Sequence, residues 1–194
     1  MSTPEPQSSR WQSQFDLSEN LTCVLDEMFR VVYCNRAWDI AAKANGVEQA
    51  TGDRLRGQAL LLYVPRALEY HYSKVLEKAR EKHIVVFTDY ECNTPNVYRK
   101  YRMKIAPVPE TPLLALVHTV LIEGSIPYRV HSAIDYDYGS GDVVTMCAQC
   151  RRTKLLHANV WDWVPEFVQR APPRVTHGIC DDCIALYCRT SEPS

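Results

Sequence analysis

Two Cys-x-x-Cys pairs lie close together in this chain: Cys147-Ala148-Gln149-Cys150, and Cys180-Asp181-Asp182-Cys183, the second preceded by His177-Gly178-Ile179. This spacing lets two thiolates from one tight turn reach a single ion. Two such turns facing each other complete a tetrahedral shell suited to Zn²⁺. One pair alone would read equally well as a redox motif. Two in a short stretch point to a metal site with Cys147, Cys150, Cys180 and Cys183 as ligands. A closed four-thiolate shell keeps no position for water, so the expected zinc is structural and hydrolysis is not implied. The same residues also admit a reduced, metal-free cluster or two redox-active pairs. Zinc is the favoured reading because so small a module has too little apolar surface to fold by burial alone. His177 can replace one thiolate, or donate its N–H to a ligand sulfur from outside the shell. Arg151, Arg152 and Lys154 can offset the thiolate charge or stand as ordinary solvated side chains. Cys188 reads as a spare thiol.

The 194 residues suffice for one generous domain or two small ones. Lys and Arg number 22 against 23 Asp and Glu, so no global field favours nucleic acid or an anionic membrane. From Val144 onward six basic residues face five acidic ones, too even a balance for a finger that grips phosphates. The polar, proline-containing start (residues 1–14) reads as a disordered tail with no apolar signal region. No apolar run approaches the ~20 residues that cross a bilayer. The expected location is cytoplasmic, where thiols stay reduced and eight cysteines favour metal ligation over crosslinking.

Residues 15–123 alternate strand and helix signals. Leu21 to Leu25 and Arg30 to Cys34 are β-rich runs about a hairpin connection. Asn35 can cap a helix carrying Ala37, Trp38, Ile40, Ala41 and Ala44, and Asn45-Gly46 ends it. A second helix is expected over 67–82, with Leu68, Tyr72, Val75, Leu76 and Ala79 on one face. Strand-like stretches follow over 84–92, 98–108 and 113–122, separated by the turn-rich Asn93-Thr94-Pro95-Asn96 and Pro107 to Pro112. Two strands, helices, then three strands predict an α+β architecture: an antiparallel sheet with helices packed on one face. Residues 124–142 have no periodicity and several breakers, and read as a linker. A cysteine module follows over 143–188. Its Trp161, Trp163, Val164, Phe167 and Val168 form either a small core or a partner-binding patch, with core the default, and Pro165 opens a short helix.

The run from Cys23 to Trp38, with Asn35-Arg36-Ala37 at the helix start, resembles the opening of a PAS sensor domain. Tyr90 to Pro95, Tyr101 to Pro107 and Leu116 to Val120 resemble its third, fourth and fifth strands. The likeness covers residues 15–123. The tail is similar to a cysteine module found at the C-terminus of some bacterial PAS and signalling proteins. The matching residues are Cys147 to Arg152, Trp161 to Phe167, and Thr176-His177-Gly178-Ile179-Cys180-Asp181-Asp182-Cys183. A PAS resemblance implies a pocket between helices and sheet that can take haem, flavin or a small metabolite. It would be lined by apolar members of 23–32, 37–41, 85–90 and 114–120. His71 on the second helix is then a candidate haem ligand and Trp38 a candidate flavin neighbour; a surface or packing role is the favoured reading of His71, and packing against the sheet that of Trp38. The flavin-photochemistry motif of light-sensing PAS domains is absent.

No phosphate-binding, dinucleotide, zinc-protease or serine-hydrolase signature is present, and seven glycines are too few and scattered for a phosphate cradle. The expectation is therefore a non-enzymatic sensory or adaptor protein of bacterial type. Its PAS-like domain would sense a small-molecule ligand or redox state, and its structural Zn²⁺ module would meet a protein partner or a second copy in a homodimer. The alternatives are a thiol redox switch at the zinc module, or a zinc-dependent nucleic-acid-binding regulator.

Overall fold

The computed structural model describes residues 7–134, 143–155 and 160–189. Helices α1 (Gln7–Asp16), α2 (Arg36–Ala44), α3 (Gly52–Leu55) and α4 (Arg66–Lys82) are joined by strands β1 (Leu21–Leu25), β2 (Val31–Cys34), β3 (Val86–Glu91), β4 (Tyr98–Pro107) and β5 (Leu114–Gly124). These strands form one sheet in the order β2-β1-β5-β4-β3, and β1 is antiparallel to both β2 and β5. The result is a PAS-like α+β fold, with two strands, intervening helices and three strands as the sequence predicts. A second sheet, of order β8-β7-β6-β9, is built from β6 (Val144–Cys147), β7 (Thr153–Leu155), β8 (Val160–Asp162) and β9 (Val175–Gly178), with α5 (Pro165–Gln169) and α6 (Asp181–Arg189). Pro165 opens α5 as expected, since its missing N–H costs nothing at a first turn.

The chain divides into two compact units. The first holds the described residues up to 64 together with 71–87 and 103–119; the second holds 65–70, 88–102 and the described residues from 120 on. The composition break read at residue 123 does not coincide with this division.

In the first unit, Asn35 organises the start of the fold. It is fully buried, and its Oδ1 accepts the backbone N–H of Thr22 and of Trp38, each at 3.0 Å. Its Nδ2 donates to the carbonyls of Phe15 and Asn20, each at 2.9 Å. One side chain thus caps α2 and ties the α1–β1 connection to it. The tail reading of residues 1–14 fails from Gln7 onward, where α1 begins. Its aromatic pair Trp11 and Phe15, four residues apart and so on one helix face, packs against Val24, Val108 and Ala115. Two aromatics in a polar segment supply enough buried area to order it. Along a strand, successive side chains face opposite sides, so Ala115 and His118 lie on opposite faces of β5. Helix α1 covers the Ala115 face, and Trp38 of α2 meets His118 edge-on on the other, ring centres 5.7 Å apart.

Helix α4 buries Leu68, Leu76 and Ala79, three of the five residues predicted for its inner face. In α2 the inward positions differ from the prediction: Ala42 is buried, whereas Ile40 is exposed. Trp38 points inward, and four residues on a helix return to the same face, which selects Ala42. Of the expected pocket lining, Val85 (46 % exposed), Phe87 (51 %) and Val120 (47 %) stand outside the core. Val86 and Thr88 alternate with Phe87 and take the inward direction instead. Among the described residues no helix is long and apolar enough to cross a membrane.

Burial lowers the pKa of His118 to about 4 from its ordinary 6.5. The unfolded chain therefore binds this proton first, and stability from a neutral His118 is complete above pH 6.5 and is lost as pH falls from there towards 4. Between pH 7.5 and 4.5 the loss amounts to about 2.5 kcal/mol. Urea unfolding of the wild type and of His118→Phe across that range checks it: the variant should lack this acid component, and equal acid sensitivity in both would assign it to another group.

Candidate metal centre

The second unit brings the two knuckles together by pairing β6 parallel to β9, with Cys147 opposite Gly178. Cys147 ends β6, and the chain turns at once: Cys147 N–H donates to the Arg152 carbonyl at 2.8 Å, and Arg151 N–H donates back to the Cys147 carbonyl at 3.1 Å. Arg151 takes the left-handed conformation (φ 68°) that so tight a reversal requires. Across the pair, Ala148 N–H donates to the Gly178 carbonyl at 2.8 Å, and Cys180 N–H donates to Cys147 Sγ at 3.4 Å. Cys180 directly precedes α6, and Cys183 lies in that helix's first turn.

All four cysteines are buried, and their sulfurs lie within 4.8 Å of one another. Cys150 Sγ and Cys180 Sγ are 3.7 Å apart. A tetrahedron with metal–sulfur distances of about 2.3 Å has edges of about 3.8 Å. The spacing therefore fits four thiolates about one ion, while a disulfide would need sulfurs about 2 Å apart. Trp161 and Ile179 pack against the cluster and seal its apolar side.

Arg152 supplies the countercharge. Only 6 % exposed, its guanidinium donates from Nε to Cys150 Sγ at 3.2 Å and from Nη2 to Cys180 Sγ at 3.0 Å. Nη2 also reaches Asp182 Oδ2 at 2.8 Å, and the plane stacks 4.3 Å from the Tyr128 ring centre. Burial alone would lower its pKa, but the bonds to the Cys150 sulfur and to Asp182 outweigh it and hold the guanidinium well above its ordinary range. The Asp182 side chain is 74 % exposed and therefore a weak partner for a buried cation. A guanidinium this deep needs a buried anion beside it, and the sulfurs are placed to be that anion.

A second layer comes from outside the cysteine motif. The Glu91 carboxylate, buried at the end of β3, accepts from Tyr128 Oη at 2.6 Å and from Asn93 Nδ2 at 2.9 Å. Burial and the bond to Glu91 push the Tyr128 hydroxyl well above its ordinary range. Asn93 Nδ2 lies 3.3 Å from the Cys150 carbonyl, and Gln149 Nε2 donates to the Glu91 carbonyl at 3.3 Å. Trp163, fully buried, donates from Nε1 to the Pro95 carbonyl at 2.9 Å. The segment read as a linker is partly built into this unit. Arg129 forms a two-pronged ion pair with the buried Asp162, at 2.7 and 2.8 Å, and Val130 runs as a parallel bridge beside Trp163. Residues 135–142 of that linker lie outside the described residues, as does the side chain of Cys188.

The other sequence candidates are placed elsewhere. His177 is exposed on β9, paired in register with Met146, and does not join the four sulfurs. Trp38 donates its ring N–H to the Ala50 carbonyl at 2.8 Å and meets His118. His71, half-buried on α4, lies edge-on to Tyr72 with ring centres 5.5 Å apart, and burial lowers its pKa. Trp161, Val164 and Phe167 divide between two small cores, Val164 and Phe167 packing with Val144 and Met146 and Trp161 on the sulfurs, while Trp163 and Val168 are also buried. Glu91, Asn93 and Tyr128 carried no signal in the sequence, because nothing in their local pattern refers to a turn more than 20 residues away.

No family model and no curated protein matches the sequence. Among solved structures, the chain is similar to a domain of an HTR-like protein from Haloarcula marismortui, at 18 % identity over 54 % of this chain and 100 % of that one, with a TM-score of 0.40. It is also similar to the PAS domain of BvgS from Bordetella pertussis, at 18 % identity over 60 % of this chain and 86 % of that one (TM-score 0.40). A third is the PAS domain of a protein from Colwellia psychrerythraea, at 11 % identity over 62 % of this chain and 98 % of that one (TM-score 0.43).

Proposed function

We propose that this chain is a non-enzymatic sensory or adaptor protein of signal transduction. In this reading, its PAS-like portion responds to a small-molecule ligand or redox state. A structural Zn²⁺ held by Cys147, Cys150, Cys180 and Cys183 shapes the surface offered to a protein partner or a second copy. The observation that carries the metal half is the gathering of four buried sulfurs within 4.8 Å of one another with Arg152 buried onto two of them. The sensor half rests on the PAS resemblance of the sequence and on the sheet order and helices that agree with it. Four thiolates fill the shell, so the ion would act by holding the fold and not by activating water.

Elemental analysis of protein purified under reducing conditions tests the metal. One zinc per chain is expected, and Co²⁺ exchange should give the intense thiolate-to-metal absorption and tetrahedral d–d bands of a four-sulfur site. A chain that holds no metal and takes up neither ion would overturn the reading. Zinc content measured before and after mild peroxide separates a permanent structural ion from one released by thiol oxidation.

A further inference from the structure

We infer that the β3–β4 hairpin is a working part of the metal centre, with Asn93 and Glu91 as positioning residues for the first knuckle. This inference rests on the metal reading above. Two hydrogen bonds tie the hairpin directly to the segment bearing Cys147 and Cys150, and two more contacts tie it to Trp163 and, through Tyr128, to Arg152. Asn93 Nδ2 is shared between Glu91 Oε2 (2.9 Å) and the Cys150 carbonyl (3.3 Å). Gln149, inside the knuckle, donates to the Glu91 carbonyl (3.3 Å), and Trp163 donates to Pro95 (2.9 Å). Tyr128 spans both sides, since its hydroxyl holds Glu91 (2.6 Å) while its ring lies under the Arg152 guanidinium that bonds Cys150 and Cys180. Glu91, Asn93, Gln149 and Arg152 are all buried. None of these groups can swing into water when its neighbour moves, so displacement of one leaves others unsatisfied.

The hairpin is itself organised by the residue that touches the knuckle. Asn93 Oδ1 accepts Arg99 N–H at 2.9 Å, beside the Cys92 N–H to Arg99 carbonyl bond at 3.0 Å. Asn93 therefore belongs to two structures at once, the turn that ends β3 and the shell around a ligand's peptide group. Coupling between two such states is reciprocal. A hairpin fixed in place slows metal loss, and a metal in place keeps the hairpin ordered. Metal occupancy is thereby transmitted to the hairpin segment 88–102 of the same unit, and displacement of that segment is transmitted to the metal.

Two measurements on the full chain test this. Transfer of Zn²⁺ to a coloured chelator should be about 10–100-fold faster for Asn93→Ala than for wild type, the range expected when a ligand loses its outer partner. Arg102→Ala, which removes the exposed pair to Asp89 in the same hairpin, should stay within about twofold of wild type, in keeping with the small worth of surface pairs. In the wild type, stripping the metal should speed amide exchange over residues 92–99 at least tenfold, in line with that coupling. The wild-type exchange experiment decides the matter even where Asn93→Ala fails to fold. Equal release rates for Asn93→Ala and wild type, or hairpin exchange indifferent to metal in a protein that demonstrably binds zinc, would sink the coupling alone. A chain that binds no zinc would sink the coupling and the metal reading together.

Discussion

Serine at Cys150 or Cys180 is expected to abolish metal retention and to unfold the second sheet's small core with it. A structural zinc bound by thiolates contributes on the order of 10 kcal/mol of apparent folding free energy, comparable to the whole stability of an ordinary domain. The apolar clusters here are too small to replace it: Val144, Met146, Val164 and Phe167 form one, and the sulfurs themselves are the centre of the other. The substitution also takes from Arg152 one of the two sulfurs it bonds, leaving a buried charge whose carboxylate partner among the described residues, Asp182, is exposed. Near-ultraviolet circular dichroism follows the outcome, since Trp161 packs on the sulfurs and Trp163 is fully buried. Loss of those signals together with the zinc is the expected result. A variant that keeps a fixed tryptophan environment without metal would show that burial alone suffices.

Asn35→Ala should cost about 4 kcal/mol, through a different physical route. Alanine leaves the Thr22 and Trp38 N–H groups and the Phe15 and Asn20 carbonyls without their side-chain partner. Each buried group so orphaned costs about 1–3 kcal/mol, and lost capping adds about 1 kcal/mol; access of water to the Asn20 side offsets part of the sum. Asn35→Asp retains the two acceptor bonds but turns a carboxylate oxygen towards two carbonyls, so it should recover little. Urea denaturation gives both values. A midpoint for Asn35→Ala within 1 kcal/mol of wild type would mean that the buried position admits water.

The clustering of the four cysteines and the strand–helix order were legible because each is written in local spacing. Cys-x-x-Cys names its own turn, Asn35 before an apolar helix names its cap, and the apolar face of α4 repeats at helical period. What escaped was whatever depends on partners distant in sequence. Arg151 and Arg152 are indistinguishable as letters, yet the left-handed turn at Arg151 sends Arg152 alone onto the sulfurs. Glu91 ends a strand where a charged residue normally meets solvent, and its burial follows only from Tyr128 and Asn93 closing over it. Trp11 and Phe15 sit in a segment polar enough to read as tail, and only the sheet face formed by Val24 and Ala115 gives them somewhere to go. Phe87 shows the opposite error, since an unbroken apolar run hid which alternate residues face inward.

The parallel pairing of β6 with β9 sets the order in which this region can be made. Parallel neighbours cannot be joined by a tight turn, so the polypeptide must first lay down β7, β8 and α5 before Val175 returns beside Val144. During synthesis, a nascent chain that has emerged only as far as Gly178 exposes one thiol pair and half a coordination shell. Such non-local closure is slow, and a chaperone or a mobile thiol ligand delivering the ion would have that interval in which to act.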